Sequence, residues 1–128
     1  MNANDSKQLV LDFLAAWDGR DIERLMSFFT ERSVYHNVPV APITGLAGIR
    51  AIFVAFLGAF RSARLEVVTA VAEPGLVIAE RIDYFEMHDG RQVTLPVTGV
   101  FVVEQARIAR FSDYFDLASF ERQSGLKL

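Results

Sequence analysis

Two carboxylates and one guanidinium interrupt rows of apolar residues in this chain, and their spacing decides what they could do. In a β-strand, residues two apart share a face. Along Leu76–Met87 one face reads Val77, Ala79, Arg81, Asp83, Phe85 and Met87, apolar except for Arg81 and Asp83. Near the end of the chain, Ala109, Phe111, Asp113 and Phe115 repeat the pattern, with Asp113 as the interruption. If both faces look inward, the charges must pair, because an unpaired buried charge costs several kcal/mol. Asp83–Arg81–Asp113 is the trio that results. Two carboxylates beside one guanidinium leave a surplus negative charge in low dielectric, and one retained proton relieves it. One Asp is then an acid and the other a base, and the trio titrates as a unit. Ser33, Tyr35 and Asn37 share a face of an earlier extended segment. A hydroxyl and an amide there, with an ionised carboxylate, could hold one water for attack.

Each reading has a plainer rival. Arg81 with Asp83 also fits an exposed cross-strand pair. Asp113 also fits an edge-strand charge, and Tyr35 with Asn37 ordinary strand ends. Asp116 reads as the cap of a short segment, Leu117–Glu121. His36 alternates away from Tyr35 and Asn37, His88 falls in a turn, and Glu80 lies on the face opposite Arg81. Two histidines so placed, without gathered carboxylates, do not suggest a metal site, and no cofactor is implied.

The elements that must position these groups follow from periodicity. Leu9, Val10, Phe13, Leu14 and Trp17 repeat at helical spacing after the cap candidates Asn4, Asp5 and Ser6, and Gly19 stops the run. Ile22, Leu25, Met26 and Phe29 continue in a second short helix opened by Asp21. Ser33–Asn37 reads as extended, and Val38–Gly45, with Pro39, Pro42 and Gly45, as a loop. Leu46 to Phe60 is a third helical pattern, apolar on every side past Arg50, as expected of a helix buried all round or facing a pocket or a subunit. Then come strands: Leu65–Ala72, Leu76–Met87, Arg91–Glu104 and Arg107–Phe115, with turns at Glu73-Pro74-Gly75, His88-Asp89-Gly90 and Gln105-Ala106. About three N-terminal helices followed by a mostly antiparallel meander predict an α+β fold, its curved sheet wrapped over the helices. Such a wrap leaves a cone with a deep apolar pocket.

Composition bounds the rest. At 128 residues, 52% hydrophobic and 23% charged, the chain reads as a single domain over 1–128 and not as a disordered one. Eleven Phe exceed what a minimal core needs and suggest a lined cavity or a subunit interface. A net charge of −3 provides no basic footprint for nucleic acid. Cysteine is absent, which excludes disulfides and thiolate chemistry. No leader-like or bilayer-length apolar run is present, so the expectation is a cytoplasmic protein without membrane association.

Tyr35-His36-Asn37, Glu80-Arg81-Ile82-Asp83 and Asp113-Tyr114-Phe115-Asp116 resemble, in this order, the limonene-1,2-epoxide hydrolases of the cone-shaped NTF2-like (SnoaL-like) superfamily. The likeness runs from about Leu9 to Leu126. It departs ahead of the last-strand Asp, where Phe111-Ser112 stands in place of the Trp-Arg of one family member. The resemblance implies a curved mixed sheet, a deep apolar pocket and a homodimer. It also implies roles: Asp113 as the water-activating base, Asp83 as the acid, Arg81 as their bridge, and Tyr35 with Asn37 as holders of the water. The implied reaction is one-step, metal-free opening of an apolar, terpene-like or cyclic epoxide to a vicinal diol. The alternatives are a ketosteroid-isomerase-like or polyketide-cyclase-like enzyme, in which one Asp shuttles a proton, and a non-catalytic binder of apolar ligands. A variant of the epoxide reading uses a hydroxyl of the substrate in place of water.

Overall fold

Long runs that alternate apolar and polar build one sheet, and two N-terminal apolar stripes cover it. The computed structural model describes residues 1–128. In chain order the elements are α1 (Ala3–Ala16), α2 (Ile22–Met26), β1 (Phe29–Asn37), β2 (Ile43–Thr44), α3 (Leu46–Ala59), β3 (Phe60–Glu73), β4 (Leu76–Met87), β5 (Gln92–Glu104), β6 (Arg107–Tyr114) and α4 (Leu117–Ser124). The strand order is β2-β1-β6-β5-β4-β3. β3 to β6 form an antiparallel meander, and β1 runs parallel to β6, so the curved sheet is mixed. The expected α+β class holds.

The helices begin where short polar side chains satisfy their first amides. Asn2, and not Asn4, Asp5 or Ser6, caps α1: Asp5 N donates to Asn2 Oδ1 at 2.8 Å, and Asn2 N donates to Asp5 Oδ2. A reciprocal capping box needs this three-residue spacing, which moves the start two residues earlier. Ser6 is buried inside the first turn, where its Oγ accepts from Gly75 N at 3.0 Å and ties α1 to the β3–β4 turn. Asp21 caps α2 and Asp116 caps α4 as expected, although α4 runs on to Ser124. The first helix ends at Ala16, a tight turn over Trp17–Gly19 follows, and the left-handed residue that ends it is Arg20, not Gly19.

Several expected boundaries move. Phe29 opens β1 and does not close α2; Phe60 opens β3 and does not close α3. Both rings remain buried, so apolar spacing alone could not separate a helix end from a strand start. β2 lies inside the expected loop and pairs with Val34 and Tyr35. The third helix is not buried all round: Ile49 and Phe53 face the core, while Val54 is 50% exposed. A fourth helix, α4, sits at the C-terminal end.

Phe13 anchors the main core, meeting Phe28, Phe29 and Phe111 edge-on with ring centres 5.3–5.4 Å apart. That geometry sets positive ring edges against negative faces. A second cluster, with Phe60, Met87, Leu95 and Phe120, lies under α4. Between the two sits the pocket.

Candidate active site

The inner face of β4 carries Val77, Ala79, Arg81 and Asp83, all buried, while Leu76, Ile78 and Glu80 point outward. On β6, Phe111 and Asp113 point inward; on β1, Ser33, Tyr35 and Asn37 do. The strand order places β5 between the strands bearing Arg81 and Asp113, a gap of roughly 9.5 Å at two strand spacings. Arg81 spans it. Its Nε donates to Asp83 Oδ1 at 2.8 Å and its Nη2 to Asp83 Oδ2 at 3.2 Å. Its Nη1 donates to Asp113 Oδ1 at 2.8 Å and its Nη2 to Asp113 Oδ2 at 2.6 Å. Both carboxylates are thus held in paired contacts by one planar fork, which only arginine can provide.

The path over β5 is open because residue 99 is glycine. Gly99 pairs with Ala79 on one side and Asp113 on the other. A Cβ there would stand 2.7 Å from Arg81 Nη1, 2.8 Å from Asp113 Oδ1 and 2.9 Å from Phe101 Cε1. Sequence reasoning missed Gly99, although a lone glycine inside a strand pattern is itself a signal of close approach.

Tyr35 and Asn37 adjoin the trio from β1, where Tyr35 pairs with Phe111 and Asn37 with Asp113. The Tyr35 hydroxyl donates to Asn37 Oδ1 at 3.0 Å. Its ring stacks on Phe111 with centres 5.0 Å apart. All five candidate residues therefore meet at one place, each 7% exposed or less. Ser33, on the same face, is committed elsewhere: its Oγ donates to Ile108 O at 2.6 Å and accepts from Thr30 N. His36 turns away to Val40 O, and His88 to Gly58 O. No three His, Asp or Glu side chains gather as metal ligands would.

Burial sets the protonation. Loss of water pushes Asp83 up to about 6, against the pull of Arg81 and with help from the Asp113 charge. Burial likewise pushes Asp113 up, against the Arg81 guanidinium. Burial alone would lower Arg81, but the two carboxylates outweigh it and keep the guanidinium charged. Burial and the Asp113 charge raise Tyr35, so its hydroxyl stays neutral. The outcome is a pair of carboxyls that can keep one proton between them near neutral pH.

Above this floor lies a pocket of about 50 Å3 lined by 13 residues, 11 of them hydrophobic, with Asp83 and Asp113 as its charged members. The expected depth is not found: the volume is about a third of the roughly 150 Å3 of an apolar cavity that takes up benzene. Phe side chains fill the hollow that backbone pattern alone suggested. Trp17 also lines it, a residue the sequence marked only as core.

A family model described as a SnoaL-like domain matches residues 10–111. An LEH-like epoxide hydrolase of M. tuberculosis superimposes with a TM-score of 0.83 at 24% identity, over 95% of this chain and 90% of its own. A proposed polyketide cyclase from Xanthomonas campestris pv. campestris gives 0.88 at 20% identity, over 97% and 99%. A protein with a ketosteroid isomerase-like fold from Catenulispora acidiphila gives 0.80 at 21% identity, over 92% of each. Likeness at these identities is likeness of fold. The chemistry has to be argued from the side chains.

Proposed function

This chain belongs to the SnoaL-like domain family, and from that premise we propose that it is an epoxide hydrolase that adds water to an apolar epoxide in one step. The observation that carries the proposal is the bridged pair, one guanidinium holding Asp83 and Asp113 at the floor of an apolar pocket. Epoxide opening needs a proton at the departing oxygen while a nucleophile arrives at carbon. Asp113 is the base because Tyr35 and Asn37, the groups suited to holding a water, adjoin it on the neighbouring strand. With the Tyr35 hydroxyl committed to Asn37 Oδ1, the Tyr35 oxygen is left to accept from the water and the Asn37 Nδ2 to donate to it. The water gives its other proton to Asp113 as its oxygen bonds to carbon. Asp83 gives its proton to the ring oxygen as the carbon–oxygen bond breaks. The proton then returns from Asp113 to Asp83. Each positioned group contributes roughly 10²–10⁴-fold.

A cyclase or isomerase of the same fold asks for a single carboxylate beside an oxyanion donor. Nothing in that chemistry calls for an arginine locked between two, and this ranks it second. Supplying apolar epoxides to purified protein and measuring diol decides the matter. Asp113→Asn should remove activity and keep the fold. No turnover of any epoxide, or full activity in Asp113→Asn, overturns the proposal.

The proposal includes a cytoplasmic homodimer. Val68, Val71 and Ile78 are exposed on the outer face of β3 and β4, with Val71 paired to Ile78, and form an apolar patch that a second copy would cover. A monomer by light scattering would end that part. No helix is long and apolar enough to cross a membrane.

A further inference from the structure

We propose, resting on the epoxide reading, that the pocket is built for oxiranes carrying an aromatic ring, in preference to the saturated terpene-like or cyclic ones that the resemblance suggests. Eight of the thirteen lining residues are aromatic, and their rings are ordered. Phe56 from α3, Phe60 at the start of β3 and Phe85 on β4 stack nearly parallel. Phe56 and Phe60 lie 5.6 Å apart at 6°, and Phe60 and Phe85 lie 4.1 Å apart at 11°. Beside the trio, Tyr35 stacks on Phe111 at 5.0 Å and 27°. All five rings line the pocket.

Their positions along the strands give the arrangement a direction. Phe85 follows Asp83 on the same face of β4, and Phe111 precedes Asp113 on the same face of β6. An oxirane set at the two carboxyls therefore has its substituent beside a ring on either strand. A flat aromatic substituent can extend a stack or offer its positive edge to a ring face. A saturated ring of the same carbon count gains only the burial of its surface. One well-placed ring–ring contact is worth up to about tenfold. The chemical step is unchanged: water bonds to carbon, the carbon–oxygen bond breaks, and the two carboxyls exchange the protons.

The test uses a matched pair, phenyloxirane and cyclohexyloxirane, with the native chain, Phe85→Leu and Phe56→Leu, each checked for fold by circular dichroism. The intrinsic ease of opening at a benzylic carbon is common to all three proteins, so it cancels when the phenyl-to-cyclohexyl ratio of kcat/KM is compared between them. That ratio should fall about tenfold in Phe85→Leu and also drop in Phe56→Leu. An unchanged ratio in both folded variants overturns the inference. Binding of the product diols is a second measurement, read by the fluorescence of Trp17, the chain's only tryptophan and a lining residue. Phenylethanediol should bind about tenfold more tightly than cyclohexylethanediol; equal binding overturns the inference. If neither oxirane is opened while another apolar epoxide is, the aromatic inference is overturned and the epoxide reading stands; if no epoxide at all is opened, the epoxide reading fails and the diol comparison still judges the aromatic preference.

Discussion

Replacing Gly99 with alanine adds one methyl group at the most crowded point of the site. The new Cβ would lie 2.7 Å from Arg81 Nη1, against a lower edge of ordinary contact at 3.4 Å, so something must move by 0.7 Å. None of the three neighbours can yield freely. Arg81 is fixed by four hydrogen bonds, Asp113 accepts two of them, and Phe101 is fully buried. Pushing the guanidinium aside breaks at least one paired contact, and breaking a buried ion pair costs about 3–5 kcal/mol. Overpacking alone costs about 1–3 kcal/mol, so a loss of about 3 kcal/mol is expected. Misplacement on this scale also costs about 10²-fold in rate. Urea unfolding gives the first quantity, and diol formation from phenyloxirane gives the second. A Gly99→Ala protein within about 0.5 kcal/mol of the native one, with native turnover, would show that Arg81 does not cross β5 at this point.

Arg81→Ala strands two buried carboxyls and should lower stability by about 3–5 kcal/mol; an unchanged melting temperature would place Arg81 outside the core. The pair should also make stability depend on pH. Folded Asp83 holds its proton up to about 6 and an unfolded one only to its ordinary 3.8, so the folded state binds more protons between those values. Stability should therefore fall as pH rises through that window, by about 3 kcal/mol from this group. Asp83→Asn should flatten the slope, and equal slopes in urea titrations of the two proteins would refute it. The β5–β6 turn holds Gln105 and Ala106 at φ 50° and 61°, where neither is favoured. Gln105→Asn with Ala106→Gly should stabilise by about 1 kcal/mol and leave turnover alone. A lower melting temperature would contradict this.

The sheet was the most legible part of the chain. Its strands alternate cleanly, and its turns carry Pro74-Gly75 and Asp89-Gly90, so β4 and its inward face could be read directly. The charges on that face were legible for the same reason, because a period of two leaves Arg81 and Asp83 no other side once Val77 and Ala79 are inside. Helix ends were less so. Phe29 and Phe60 satisfy the apolar spacing of a helix and the inward face of a strand equally well. Pairing with β6 and β4, which lie far along the chain, settles them. Gly99 escaped notice because its meaning lies in what passes over it, a side chain from the neighbouring strand. The pocket's small size was hidden too. Ring packing among Phe56, Phe60 and Phe85 depends on angles that no spacing encodes.

The central claim is that water, activated beside Asp113, attacks the epoxide directly. A single turnover with protein in excess over phenyloxirane, run in heavy-oxygen water, tests it. The account predicts that the first diol formed carries one heavy oxygen and that the protein acquires none. A first diol with only ordinary oxygen, its second atom drawn from a carboxylate of the protein, would contradict it.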